Sequence, residues 1–362
     1  MVDCPSMTSP TAITGLNSNE VETRLQQLGE PGYRAAQILD WIYAKGAMDF
    51  ETMTNLPAPL REKLSECFTI NPLRSVEGTR SGDTTRKYLF KLDDGRYIET
   101  VLIPASPALY GEPSDRYTLC VSSQVGCAYG CRFCASGLDG FTRNLNAGEI
   151  TAQVLAAGRQ SGKKINNIVF MGMGEPLANL PNLLKAIAII NAPWGIGIGA
   201  RRMTVSTSGL APQIREFADQ PLQVRLAVSL HGASDEVREK IMPVNKKYPL
   251  DELLDSLRYY NSKKKQKITF EYILIEGIND SEEQARLLAT LAYSLNAKIN
   301  LIPYNSVEGL PWARPDESVQ EDFLNTLTSR GVHATLRREK GHDIEAACGQ
   351  LRLRKEREGE PI

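Results

Sequence analysis

The sequence predicts an α/β fold: a partial (β/α)6-type barrel, with a small N-terminal helical domain and a β-hairpin extension in front of it. Three observations predict it. From about residue 118 onward, strand-like apolar runs alternate with helical stretches, the order that builds a parallel sheet covered by helices. Those runs are apolar along their length rather than every second residue, as expected of strands buried on both faces. The residues before them carry helical periodicity and then a hairpin signal, with no internal repeat.

Taken in order, residues 1–18 are rich in Ser, Thr and Pro and are expected to be disordered. The helical domain spans 19–72, with helices over 21–28, 35–44 and 59–68; Ile38, Leu39, Trp41, Ile42 and Tyr43 gather mainly on one side. In the extension, 73–116, the runs 87–92 and 97–103 flank Asp93-Asp94-Gly95, a hairpin turn. Residues 104–116, with Pro104, Pro107, Pro113 and Gly111, form a linker or exposed loop. The barrel core is expected over 117–354, followed by a tail at 355–362. Its strands are predicted at 118–123, 167–172, 203–208, 223–231, 268–276, 299–304 and 333–337. Helices fall at about 147–161, 181–191, 212–219, 234–241, 249–261, 280–295 and 318–330, with Asp280 and Glu283 as a capping box. In such folds the chemistry gathers at the carboxyl ends of the strands.

Composition sets outer limits. Of 362 residues, 42% are hydrophobic and 23% charged, enough for a sizeable core without disulfides. The net charge of −1 describes only the average and leaves room for a basic face. Seven cysteines without an export signal argue for the reducing cytoplasm, and no run approaches the roughly 20 apolar residues of a membrane span.

The densest chemical signal follows the first barrel strand. Cys127, Cys131 and Cys134 are spaced Cys-x3-Cys-x2-Cys in a glycine-bearing loop. Three thiolates fit three corners of a [4Fe–4S] cube and leave the fourth iron open to a further ligand. Phe133, beside the last cysteine, can shield it. A structural zinc site needs a fourth ligand, yet His231 lies about a hundred residues further on. A two-cysteine redox motif leaves Cys127 unexplained, and three unrelated buried cysteines in one short loop would be a coincidence.

This spacing, with an aromatic before the last cysteine, resembles the radical S-adenosylmethionine (SAM) superfamily. The resemblance implies a partial barrel of radical SAM type, a [4Fe–4S] cluster on Cys127, Cys131 and Cys134, and reductive cleavage of SAM. Further motifs appear in order: Ser122-Ser123-Gln124-Val125-Gly126-Cys127, Gly140-Phe141-x-Arg143-Asn144-Leu145, Met171-Gly172-Met173-Gly174-Glu175-Pro176-Leu177 and Ser206-Thr207-Ser208-Gly209. Ser229-Leu230-His231, Ile299-Asn300-Leu301-Ile302-Pro303-Tyr304-Asn305 and Ala347-Cys348-Gly349-Gln350-Leu351 follow. Over about residues 20–354 the series is similar to the RlmN/Cfr family of adenine methyltransferases.

That likeness implies a SAM contact set of Gly174, Glu175, Ser206, Ser229, Leu230, His231 and Asn305, with Glu175 pairing the SAM ammonium. It implies 2-methyladenosine formation at adenosine 2503 of 23S rRNA and adenosine 37 of tRNAs, with two SAM per turnover. Carbon 2 of adenine is electrophilic, so direct methyl transfer from SAM fails there and covalent catalysis is needed. By resemblance Cys348 carries the methyl group, Cys120 resolves the joined intermediate through a transient disulfide, and Glu99 accepts the proton. By pattern alone, Glu99 reads as a solvent-facing strand residue, His231 as a turn histidine and Cys348 as a buried small residue.

The implied partners are 23S rRNA and tRNA, a flavodoxin-like donor for the cluster and a thiol reductant, for a monomer with no membrane contact. Candidate phosphate contacts are Arg201-Arg202, Lys246-Lys247, Lys263-Lys264-Lys265 with Lys267, Arg337-Arg338 with Lys340, and Arg352, Arg354 and Lys355. The rival readings are a Cfr-like enzyme acting on carbon 8, a glycyl-radical activase, and a non-enzymatic iron–sulfur or zinc RNA-binding protein.

Overall fold

In the computed structural model, which describes residues 10–81, 85–105, 115–138, 140–305, 309–337, 351–352 and 355, the chain begins with strand β1 (Thr11–Ala12). Helix α1 (Ser18–Gln27) starts where Asn17 and Glu20 cap each other reciprocally. Helix α2 (Arg34–Leu39) runs into a π-helical turn at Asp40–Ala44, and α3 (Ala58–Cys67) leads into β2 (Phe68–Thr69), which pairs in parallel with β1. The expected apolar side of the second helix packs inward: Ile38, Leu39 and Ile42 are buried, and Trp41 and Tyr43 lean on the same core. The expected disorder is corrected from residue 10 on, because β1 gains a strand partner and Ile13, Thr14 and Gly15 are buried.

That burial is against the barrel. A Cβ on Gly15 would lie 2.6 Å from the backbone nitrogen of Gly148, and one on Gly148 would lie 2.7 Å from the Ala12 Cβ. Lys185 pairs with Glu20 at 2.7 Å across the same seam, and Tyr43 meets Trp194 edge-on. Backbone cannot yield as a flexible side chain can, so Gly15→Ala is expected to cost about 1–3 kcal/mol. A thermal midpoint equal to that of the parent would show the seam to be loose.

The extension is a three-stranded meander, one strand more than the expected hairpin: β3 (Leu73–Arg80), β4 (Arg86–Leu92) and β5 (Tyr97–Pro104). Gly95, at φ 83°, makes the turn between the last two. The meander is continuous with the main sheet, since β5 pairs antiparallel with β6 (Tyr117–Cys120), Val101 opposite Cys120.

A short pair, β7 (Gln124–Gly126) with β8 (Phe141–Asn144), brackets the cysteine loop. Then strands and helices alternate: α4 (Ala147–Ser161), β9 (Ile165–Phe170), α5 (Leu180–Asn191), β10 (Met203–Thr207), α6 (Ala211–Asp219) and β11 (Arg225–Ser229). After α7 (Asp235–Ile241) and α8 (Leu250–Lys263) come β12 (Thr269–Leu274), α9 (Glu282–Ser294), β13 (Lys298–Pro303), α10 (Glu317–Ser329) and β14 (Ala334–Leu336). The ten-stranded sheet runs β14-β13-β12-β11-β10-β9-β6-β5-β4-β3, parallel from β6 to β14.

The α9 cap is corrected from the predicted Asp280 to Ser281, whose hydroxyl accepts from Gln284 N. Asp280 instead accepts from Gly277 N in the preceding turn. Among the described residues no helix is long and apolar enough to cross a membrane.

Candidate active site at the carboxyl ends of the strands

Parallel strands deliver their carboxyl ends to one side, and there the structure encloses a cavity of about 610 Å³. Cys120, Cys127, Cys131, Cys134, Gly174, Glu175, Ser206, Ser229, His231 and Asn305 all line it.

The cysteine loop is held by backbone geometry. Gly126 has φ 72°, and a Cβ there would lie 2.0 Å from the Gly140 oxygen, so only glycine lets the two arms of the loop close. The Cys127 N–H donates to that same oxygen at 2.9 Å, and the Arg132 N–H donates to Ile241 O at the end of α7. Arg143 in β8 grips Glu149 through two nitrogens, tying the exit of the loop to α4.

Burial pushes the Cys127 thiol up to about 12 and Cys131 well above its ordinary value, with Cys134 adding to both as a neighbouring charge. Three thiolates therefore cannot stand together here without a cation to offset them, which is what an iron–sulfur core supplies. Among the described residues no group of three or more His, Cys, Asp or Glu has the close arrangement that grips a single ion. Three thiols in one loop are the donor set that a [4Fe–4S] cluster takes, with its fourth iron left for a further ligand.

The Gly-rich turn after β9 is shaped by close approach. A Cβ on Gly172 would lie 2.7 Å from Ser122 N, and Gly174 sits at φ 95° against Gln124. Glu175 is buried; Ser208 donates to its Oε2 through N at 2.7 Å and Oγ at 2.8 Å, and Leu177 N reaches Oε1 at 3.1 Å. Burial raises its carboxyl above the ordinary range, and these donors oppose the shift. A ligand ammonium would favour the charged form further.

His231 adopts φ 55° and accepts from Ile273 N at Nδ1, 3.0 Å away. Burial pushes its imidazole down to about 3, so it is neutral and carries its proton on Nε2. Phe133 packs edge-on against the ring at 4.7 Å between centroids, tying the cysteine loop to the end of β11. Asn305 accepts from Arg314 Nη2 at 3.2 Å.

One residue of the contact set keeps its side chain out of the cavity, and one expectation is corrected. Leu230 puts no side chain into the cavity: it is fully buried in the core because strand alternation turns it away from Ser229. Glu99 does not face solvent: it is 1% exposed, ion-paired to Lys87 at 2.9 Å, and accepts the Arg352 N–H at 2.6 Å. It lies two residues from Val101, the partner of Cys120, but is not among the residues lining the cavity. Cys348 lies outside the described residues, as do Arg338, Lys340 and Arg354.

The basic runs separate. Arg201-Arg202 and the Lys263–Lys267 run precede β10 and β12, at the amino ends of strands, whereas exposed Lys246-Lys247 follow α7 on the cavity side. Sequence reasoning gave no individual role to Lys87, Ser208, Glu271, Asn300 or Arg238. Arg238 is fully buried and donates to Ser208 O, Leu230 O and Asn245 Oδ1, joining the loops after β10 and β11.

Comparison with known proteins agrees with this geometry. The Radical SAM superfamily model matches residues 121–289, and the Ribosomal RNA large subunit methyltransferase N-terminal domain model matches residues 11–70. The chain is 53% identical to "Probable dual-specificity RNA methyltransferase RlmN 3" of Opitutus terrae, over 96% of this chain and 95% of that one. It is 52% identical to "Probable dual-specificity RNA methyltransferase RlmN" of Akkermansia muciniphila, over 96% of each. A solved radical SAM methyltransferase from Sphaerobacter thermophilus superposes with a TM-score of 0.89 at 45% identity, covering 94% of this chain and 99% of that one. The chain belongs to the RlmN family of the radical SAM superfamily.

Proposed function

We propose that this protein methylates carbon 2 of adenosine 2503 in 23S rRNA and adenosine 37 in tRNAs. The observation that carries the reading is the meeting of three half-buried thiols, Cys120, Glu175, Ser206, Ser229, His231 and Asn305 around one cavity. Cys127, Cys131 and Cys134 would hold the [4Fe–4S] cluster, and Gly174, Glu175, Ser206, Ser229, His231 and Asn305 the SAM, with Leu230 contributing through its backbone. When bound, the pair supplies a 5′-deoxyadenosyl radical that can take a hydrogen atom from an S-methyl group.

The chain's own residues do the rest. Cys348 accepts a methyl group on sulfur and presents it to the adenine. Cys120, at the end of β6, attacks that sulfur to free the product as a disulfide forms. Glu99 takes the proton from carbon 2, its carboxylate held in place by Lys87 and the Arg352 N–H. Phe133 on His231 closes the loop over the cavity. Turnover then needs an electron donor for the cluster and a thiol reductant for the disulfide.

Mass spectrometry of nucleosides from 23S rRNA and tRNA, from cells with and without the gene, tests the proposal. Gene-dependent 2-methyladenosine in both RNAs is expected. Gene-dependent 8-methyladenosine instead would overturn the carbon assignment, and no gene-dependent methylation would overturn the function.

A further inference from the structure

Part of the cavity wall lies outside the residues given roles above. Ser206 and Ser229 stand with hydroxyls 3.5 Å apart. Strand register extends that row sideways: Ser229 faces Glu271 across β11 and β12, and Glu271 faces Asn300 across β12 and β13. Both Glu271 and Asn300 line the cavity. Glu271 is only 7% exposed, and Asn300 Nδ2 donates to its Oε2 at 2.8 Å. Among the described residues its other oxygen has no hydrogen-bond partner and no cation forms an ion pair with it.

With one oxygen bonded to Asn300 and its side chain lining the cavity, Glu271 has hydrogen-bonding capacity left for a ligand there. Two residues further along the same strands, Ile273 and Ile302 also line the cavity and supply an apolar wall beside the row. Such a site, polar at one edge and apolar on a face, suits a planar heterocycle with hydrogen-bonding groups along its rim.

We infer that Glu271 and Asn300 form an adenine-reading subsite, engaging the amino group and an adjacent ring nitrogen of the base. Adenine presents a donor next to an acceptor, and a carboxamide or a carboxylic acid offers the complementary pair. Burial raises the Glu271 carboxyl above its ordinary range, against Asn300 and Arg337, which favours the neutral acid able to donate as well as accept. Purine without the amino group lacks the donor, and no flip of the amide or shift of the acid proton restores it. The inference rests on the proposed function for its two sources of adenine: the cofactor, and the base extruded from RNA.

The test uses cluster-loaded protein under anaerobic conditions and reads binding alone. In one arm, calorimetry compares S-adenosylhomocysteine with its analogue carrying unsubstituted purine in place of adenine. In the other, fluorescence titration compares RNA hairpins carrying adenosine or purine riboside at the target position. The parent is expected to prefer the adenine ligand at least tenfold in one arm, about 1.4 kcal/mol. E271L and N300L should each bring that preference close to one, while E271Q, which keeps a donor and an acceptor on the same frame, should retain it. A preference in the first arm assigns the subsite to the cofactor; in the second, to the target base. Absence of preference in the parent in both arms overturns the inference whatever the variants do, and so does a preference that survives both leucine variants. Because methylation is not read, loss of the proposed function in the nucleoside assay leaves the cofactor arm interpretable.

Discussion

Replacing Cys127, Cys131 or Cys134 by alanine is expected to lower iron after anaerobic reconstitution from about four atoms per chain towards none, with loss of SAM cleavage. The size of the effect follows from the surroundings of the thiols. Burial and mutual repulsion already raise Cys127 and Cys131, so ionising them depends on the positive core that they surround. With two ligands left, the remaining thiolates gain less from the metal while their burial is unchanged. Cys120→Ala makes the matched control, because Cys120 lines the same cavity from β6 but lies outside the loop closed by Gly126 and Gly140. It should keep its full complement of iron and sulfide and lose only methyl transfer. An alanine variant of the loop that still assembles a cubane, seen by Mössbauer spectroscopy, would remove that thiol from the donor set. Equal iron loss in Cys120→Ala would undo the separation of roles.

The contrast between what local pattern reveals and what it hides runs through this site. The barrel strands were legible because their apolar runs need no context: the run 203–208 became β10 (Met203–Thr207), and 299–304 became β13 (Lys298–Pro303). The cysteine spacing was legible for the same reason, as ligands of one cluster lie close in sequence. β3 was missed because most of its side chains face solvent, and only pairing with β4 makes it a strand. Lys87 was passed over and Glu99 by pattern alone misread because each is a lone charge in a strand, a pattern that usually means solvent. Glu271 and Asn300 were given no joint role because a strand facing a cavity can hold polar residues that its sequence gives no reason to pair. The SAM contact set came almost wholly from resemblance, and the structure brings together six of its seven members around the cavity, leaving Leu230 in the core.

Lys87→Met is expected to lower stability by about 3–5 kcal/mol, because it removes the cation that lies 2.9 Å from the buried Glu99 carboxylate. Both side chains are almost fully excluded from solvent, and the pair is made across adjacent strands: Lys87 faces Val101, and Glu99 is the next residue on that side of β5. The carboxylate is also where the described part of the C-terminal segment touches the sheet, through the Arg352 N–H. Leu351 packs beside it against Leu89 and Tyr97. A structural and a chemical role for Glu99 can therefore be separated. In Lys87→Met combined with Glu99→Leu, both charges of this pair are gone, and replacement of a buried ion pair by apolar groups is often neutral or stabilising. The denaturant midpoint should return most of the way to that of the parent. Methyl transfer should not return with it if Glu99 accepts the proton from carbon 2, because leucine restores packing and has no lone pair to offer. A double variant that recovers both stability and turnover would leave Glu99 as an anchor for the C-terminal segment and send the search for the base to the residues lining the cavity. A single variant as stable as the parent would mean that other contacts already neutralise the carboxylate.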